Sequence, residues 1–305
     1  MRRIRIIVSY DGTGYVGWQT QPNGVAVQQE LERALREITG EAIPLHGSGR
    51  TDSGVHARAQ VAHFDTEARM PADKFAIALN TRLAPDIRVL FSEETDPSFH
   101  ARFNAKNKQY RYTAQLGPHA LVPTRNTALH LFRPIDTEAM FAAAADCVGT
   151  HDFRGFMSAG NPMENTVRTV YSSAWTREGP YLRYDVSGSG FLYNMVRILV
   201  GTMLAIGRHE LPPDAIRRAL VSLNRADLGP TAPAHGLTLW RVRYADFDTE
   251  EILQSLFSGE TPFSPESPNT LCSLNTEPTD SKAETPTAST NPETPTTTTN
   301  PEVAL

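Results

Sequence analysis

Asp52 has the strongest claim to chemistry in this sequence. It stands in HGSGRTDSGVH (46–56), where three glycines, Gly47, Gly49 and Gly54, surround Arg50 and Asp52. A β-turn or Asx-turn with a solvated carboxylate accounts for a generic Asp-Ser-Gly, yet such a turn has no use for an arginine two places before the acid. A carboxylate presented this way can act as nucleophile or general base if it stays ionised and oriented. A partner for it stands far along the chain. Residues 191–204 are apolar around most of a helical circumference, the pattern of a buried helix, and Arg197 sits among them. A buried guanidinium needs a carboxylate. Either the Arg197 stem carries its charge to the surface, or Arg197 crosses a cleft to pair with Asp52 and keep it charged.

Other chemistries fit less well. GTGYVG (12–17) matches G-x-G-x-x-G and follows a strand-like stretch, but the dinucleotide site requires a helix to begin within the glycines. Here WQTQPNG (18–24) intervenes, and Glu30, Glu32 and Glu37 fall within the following helix instead of ending a second strand. No Gly-Lys-Ser/Thr follows the glycines. The nine histidines include no H-E-x-x-H, and His56 and His63 have no cysteine partners. The expectation is a protein with no cofactor and no metal.

These residues need a scaffold. Residues 3–10 alternate as a strand, and Val27, Leu31, Leu35 and Ile38 recur at helical spacing before Gly40, giving a helix over 25–39. Strands are expected at 43–45 and 60–64, a second helix from Pro71 through Leu83, and strands at 87–91 and 109–116. Beyond a proline-bearing connection the order returns. Asp136 caps a helix carrying Met140 and Cys147, strands follow at 167–176 and 181–186, helices at 190–207 and 214–220, and a strand at 237–244. The expected class is α+β: two similar RRM- or ferredoxin-like split-βαβ halves, 1–117 and 118–247, whose antiparallel sheets flank a central cleft.

Composition adds the partner. The net charge is −5, but residues 248–305 carry ten acidic side chains and one base, Lys282. The remaining body has 28 bases against 24 acids, and 25 of those bases are arginine, whose fork suits phosphate. The 248–305 segment is rich in Pro, Thr and Glu and is expected to form a disordered tail. The cysteines, Cys147 and Cys272, suggest no disulfide framework, and Cys147 reads as a small core residue. The apolar stretch 191–206 is too short for a bilayer span, so the reading is soluble and cytoplasmic, with no membrane partner.

YDGTGYVGWQ (10–19), GRTDSGVH (49–56), FHARF (99–103), YRY (110–112) and FLYNMVR (191–197) resemble, in order and spacing, the TruA family of tRNA pseudouridine synthases. The resemblance spans roughly residues 3–247. It implies an isomerase that needs no cofactor, works as a homodimer and converts uridines 38, 39 and 40 on the 3′ side of the anticodon arm of tRNA. It also implies Asp52 as the catalytic acid with Arg50 beside it, Tyr110 stacking on the uracil, Arg197 pairing with Asp52, and Leu237 lining the pocket. Ser53, where many members have alanine, and the long tail depart from the pattern.

Sequence alone also nominates phosphate contacts, since such contacts dominate affinity for nucleic acid: Arg2, Arg3, Arg5, Lys106, Lys108 and Arg111. Glycines 12, 14 and 17 are expected to let their loop approach RNA. Two other readings stay open. One is a non-catalytic tRNA-binding or folding protein on the same scaffold, which has no need of a carboxylate among arginines. The other is an aspartate-dependent hydrolase; a retaining glycosidase would want a second acid near Asp52.

Overall fold

The alternation at the start of the chain becomes β1 (Arg2–Tyr10), buried from Ile4 to Val8. In a computed structural model describing residues 1–158 and 164–258, it is followed by α1 (Val27–Thr39), β2 (His46–Gly47), β3 (His56–Thr66), α2 (Lys74–Asn80), β4 (Ile87–Thr95) and β5 (Asn107–Leu116). Next come β6 (Leu129–Leu131), α3 (Thr137–Ala144), β7 (Gly149–Asp152), β8 (Val167–Glu178) and β9 (Tyr181–Gly188). The described chain ends with α4 (Met195–Gly207), α5 (Ala215–Ser222), β10 (Leu237–Arg243) and α6 (Thr249–Phe257). The class is α+β. All ten strands join one sheet in the order β4-β1-β3-β10-β5-β9-β8-β7, with β2 on β3 and β6 on β5.

Strand β10 decides where the site falls. Although the last of the described strands in sequence, it inserts between β3, to which it is parallel, and β5, to which it is antiparallel. The Asp52 loop leads into β3, Tyr110 lies on β5 and Leu237 opens β10, so three distant segments become neighbours. The sheet also runs across the expected boundary at residue 117. Lys108 to Gln115 on β5 pair with Gly188 to Tyr181 on β9, and the described residues belong to a single compact unit.

Local signals account for most element ends. Gly40 takes φ +76 and returns its N–H to Arg36 O, closing α1. Asp136 accepts from Ala139 N and caps α3. Three expectations need correction. Residues 43–45 form no strand: Ile43 and Leu45 are buried as core side chains, the Leu45 backbone bonds to the Glu32 and Gln28 side chains of α1, and the pairing segment is β2, opposite Ala62 and His63. Helix α4 begins at Met195 rather than 190, because Asn194 adopts φ +62 and breaks the run before it. Every residue of α4 except Arg197 is then buried. Finally, the folded body does not stop at 247. Asp248 caps α6, accepts from Arg241 Nε at 2.7 Å, and α6 buries Leu253. The rest of the expected tail, 259–305, lies outside the described residues, as does Cys272. Cys147 is a buried free thiol. Among the described residues, no helix is long and apolar enough to cross a membrane.

Candidate active site

Asp52 sits on a turn closed by Val55 N donating to Asp52 O at 3.1 Å, with Gly54 at φ +78. This turn is fastened to the loop after β1. Trp18 N donates to Thr51 O (3.1 Å) and Gly54 N to Tyr15 O (3.3 Å), while Tyr10 Oη and Thr51 Oγ1 share a 2.7 Å hydrogen bond. The GTGYVG glycines belong to this fastening. Gly12–Gly14 is a single 3-10 turn and α1 starts only at Val27, so no helix N-terminus faces a pyrophosphate. A Cβ on Gly12 would lie 2.0 Å from Val55 O, and one on Gly17 2.4 Å from Thr51 O. The expectation that this loop is kept slim for RNA is therefore revised: Gly12 and Gly17 are slim for the Asp52 loop, and only Gly14 faces open space. His56 completes the frame. Its Nδ1 stands 3.0 Å from Gly12 N and 3.1 Å from Asp11 Oδ1, and its Nε2 lies 3.1 Å from His235 O, so the ring bridges the loop after β1 to the turn before β10.

Arg197 reaches Asp52. Its Nη1 stands 3.3 Å from Asp52 Oδ2, with the two side chains 18% and 19% exposed. The guanidinium is held in advance: Nε donates to Ala232 O and Nη1 to Asn194 Oδ1, both at 2.8 Å. The segment bearing Ala232 lies so close to α4 that a Cβ on Gly201 would meet Pro230 O at 1.7 Å. Burial pushes the Asp52 carboxyl above its ordinary range, and the charge and hydrogen bond of Arg197 pull it back only in part. The pairing foreseen from burial is present, but its net effect is smaller than that argument implied, since one long contact does not outweigh desolvation.

Both groups line an open hollow of about 1070 Å³ together with Arg50, Tyr110, Phe191 and Leu237. Tyr110 is buried, and Phe191 meets its ring edge-on at 5.3 Å. Burial, then the neighbouring Tyr10 and Asp52, raises the Tyr110 phenol well above its usual value, so it stays a neutral hydroxyl. Leu237, buried at the start of β10 opposite Tyr112, lines the same hollow. Arg50 is exposed on the lining, with no acidic partner among the described residues. The site thus gathers all five residues that the sequence placed at the centre.

The nominated phosphate contacts divide. Arg3 is bound bidentately to Asp65 at 2.7 Å, Arg5 is buried against Glu93 beneath the Phe247 ring, and Arg111 is bidentate to Asp185 at 2.9 Å over Trp240. Arg2 donates to Met70 O at 2.7 Å. These guanidiniums are spent within the fold and are withdrawn as phosphate contacts. Lys106 is exposed but does not line the hollow. Lys108 does line it, and its ammonium donates to Ser48 O at 2.5 Å. Sequence reasoning passed over Asn194 as a holder of Arg197, a role announced only by its polarity at the start of an apolar helix. It also passed over Arg102 and Phe103, which border the hollow.

Fold and hollow define a class: a mixed α+β enzyme that offers one carboxylate, faced by one guanidinium, at the foot of a cleft bordered by cations and wide enough for part of a polyanion. Comparison with known proteins narrows it. The profile described as tRNA pseudouridine synthase matches residues 6–104 and 143–245, and the chain belongs to that family. A protein of Brevibacillus brevis named tRNA pseudouridine synthase A is 47% identical over 244 residues, spanning 80% of this chain and all of the other. Proteins of the same name from Moorella thermoacetica and Acetivibrio thermocellus are 47% and 43% identical over 79% and 80% of this chain, and over 99% and 100% of their own. Among solved structures, a chain of a Cbf5-Nop10-Gar1 complex overlays 66% of this chain at TM-score 0.29 and 12% identity.

Proposed function

We propose that this isomerase converts uridine to pseudouridine in the anticodon arm of tRNA, at positions 38, 39 and 40, with Asp52 initiating the reaction. The N1–C1′ bond breaks and a C5–C1′ bond forms; C5 loses its proton to solvent and N1 gains one, so no electrons and no second substrate are required. The target base must leave its stack, which costs a few kcal/mol. Stacking on an aromatic side chain returns about 1–3 kcal/mol, and Tyr110 is the surface for that, with Leu237 lining the same hollow. The neutral phenol makes Tyr110 a poor base, so its part is to hold the ring. Arg197 orients and partly restores the charge of Asp52, and Arg50 meets the RNA backbone at the mouth together with Lys108.

The observation that carries this reading is the 3.3 Å pair at the foot of the hollow, made between a loop of the N-terminal half and a helix of the C-terminal half. We read the continuous sheet as two split-βαβ halves sharing β10, and the working form as a cytoplasmic homodimer. A binding-only protein gains nothing from a desolvated acid in its cleft. The test is Asp52→Asn. Pseudouridine formation in an unmodified tRNA transcript should vanish while tRNA affinity stays within roughly threefold, since a phosphate-dominated affinity does not depend on one carboxylate. Turnover near that of the unaltered enzyme rejects the assignment.

A further inference from the structure

Phe103 is 75% exposed, yet it is not a loose surface ring. It lies against His100 with centroids 4.2 Å apart and planes 31° from parallel. Behind His100 the row of rings continues: His63 meets it edge-on at 4.7 Å and 63°, and His46 stacks on His63 at 5.1 Å and 28°. The backbone locks this ladder. Ala101 N donates to His63 Nδ1 at 3.2 Å and Arg102 N to His100 Nδ1 at 3.1 Å, while Asn104 N donates to His100 O at 3.0 Å. Burial is the main force lowering both imidazoles, His63 to about 4, so neither carries a charge at neutral pH. One aromatic ring is thus prepared and left largely exposed to solvent, with the Arg102 guanidinium 5.8 Å from its centroid.

Its position gives it meaning. Phe103, His100, His46 and Arg102 line the same hollow as Asp52 and Tyr110. Of the other exposed aromatic rings among the described residues, Tyr193 also lines it, whereas Phe132, Tyr171 and Phe257 do not. Lys108 stands close by, hydrogen-bonded to Ser48, two residues beyond His46. No carboxylate pairs with its ammonium among the described residues; burial, then Arg102 and Arg168, lowers it to about 8. An open ring beside an uncompensated cation is the chemistry of a nucleotide, base on the ring and phosphate on the cation. The hollow, about 1070 Å³, lies just above the range of about 300–1,000 Å³ usual for single small ligands, so it has room beyond the target uridine.

We propose that Phe103, backed by His100, is a stacking platform for a second nucleobase of the RNA, one flanking the target uridine, and that Lys108 and Arg102 take the adjoining phosphate. This rests on the reading of the protein as a tRNA-modifying enzyme and assigns a subsite within its cleft. The experiment compares Phe103→Ala, Phe103→Leu and Phe103→Trp on an unmodified tRNA transcript. It then measures binding to transcripts carrying 2-aminopurine at single positions on either side of the target. Loss of the ring should raise KM about tenfold in both the Ala and Leu variants, with kcat changed by less than roughly threefold, and Trp should restore KM. One flanking 2-aminopurine should be quenched on binding the unaltered enzyme and unquenched with Phe103→Leu. Equal KM for Leu and the unaltered enzyme, equal KM for Ala and Trp, or no quenched flanking position overturns the platform. Turnover by the unaltered enzyme reads the parent assignment separately, and the quenching measurement needs no turnover. The exposure of Phe103 makes misfolding an unneeded explanation, which the melting temperature of each variant checks.

Discussion

Replacing Arg197 by methionine keeps an aliphatic stem within α4 and deletes the charge facing Asp52. Two unit charges at the 3.3 Å of this pair attract by about 5 kcal/mol at an effective dielectric constant near 20. Removing one partner of a largely buried pair costs about 3–5 kcal/mol, because the other charge is stranded. Asp52 escapes part of that cost by taking up a proton. Burial already holds its carboxyl above the ordinary range, and Arg197 is the group that pulls it down, so in the variant it rises further. The ionised acid becomes scarcer and less well aimed, and kcat at neutral pH should fall by roughly 10²–10³, the equivalent of about 3–4 kcal/mol. An activity that needs the carboxylate ionised grows as pH rises, so the acid limb of the kcat profile should move to higher pH and the deficit should shrink in alkali. Tritium at C5 of the tRNA uridines, released to water as the carbon is rejoined to ribose, reads the rate across pH. A neutral-pH kcat within roughly threefold of the unaltered enzyme, or an acid limb that does not move, refutes the coupling.

The same burial predicts a trade between stability and activity at Asp52. A carboxyl raised on folding binds its proton more tightly in the folded state, so its stabilising contribution is present at low pH and is lost as pH rises from the ordinary carboxylate range through the folded value. Asp52→Asn, which imitates the neutral acid, should therefore melt higher than the unaltered protein at neutral pH and alike below the ordinary carboxylate range; calorimetry at the two pH values decides. Gly17→Ala attacks the fastening instead. At φ +108, with the new Cβ 2.4 Å from Thr51 O, it should cost about 1–3 kcal/mol, displace the Asp52 turn and lower kcat more than it changes KM. Gly14→Ala, with open space around its Cβ, should do neither, and equal kinetics for the two would refute the packing argument.

What the sequence could and could not reveal follows from the range of each force. Capping and helical periodicity act over a few residues, so α1, closed by Gly40, and α3, opened by Asp136, were legible with small shifts at their ends. Arg197 was legible for a different reason: a charge within an apolar run needs a partner wherever the fold supplies one, and Asp52 stood out among the acids by its glycine-flanked loop. The insertion of β10 between β3 and β5 was not legible, because a parallel neighbour 180 residues distant leaves no local trace. The nominated phosphate contacts divided on the same ground. Arg3 and Arg111 look alike to Lys108 in sequence, and only strand pairing reveals that Asp65 and Asp185 stand opposite the first two. The GTGYVG glycines were read correctly as a close approach but aimed at the wrong neighbour, since a missing Cβ does not say what fills its place.

The site combines rigid and unsatisfied parts in a definite arrangement. The groups that hold Asp52 in place are themselves fully engaged: Tyr10 with Thr51, His56 between Gly12 and His235, Arg197 with Ala232 and Asn194. The groups facing the hollow are not, for Asp52 has a single long contact to its guanidinium, Lys108 has no carboxylate, and Phe103 has an open face. Unsatisfied charge in a low-dielectric setting is costly, and a fold selected for stability alone would have paired Lys108 with an acid as it paired Arg3, Arg5 and Arg111. That these three meet around one hollow, while Arg3, Arg5, Arg58, Arg111 and Arg241 in the same sheet each face a carboxylate, is the pattern expected when the missing counter-ion arrives with the substrate. A phosphate-bearing strand supplies both an anion for Lys108 and a base for the open ring, and excluding water as it docks strengthens the Asp52–Arg197 interaction at the moment the acid is needed.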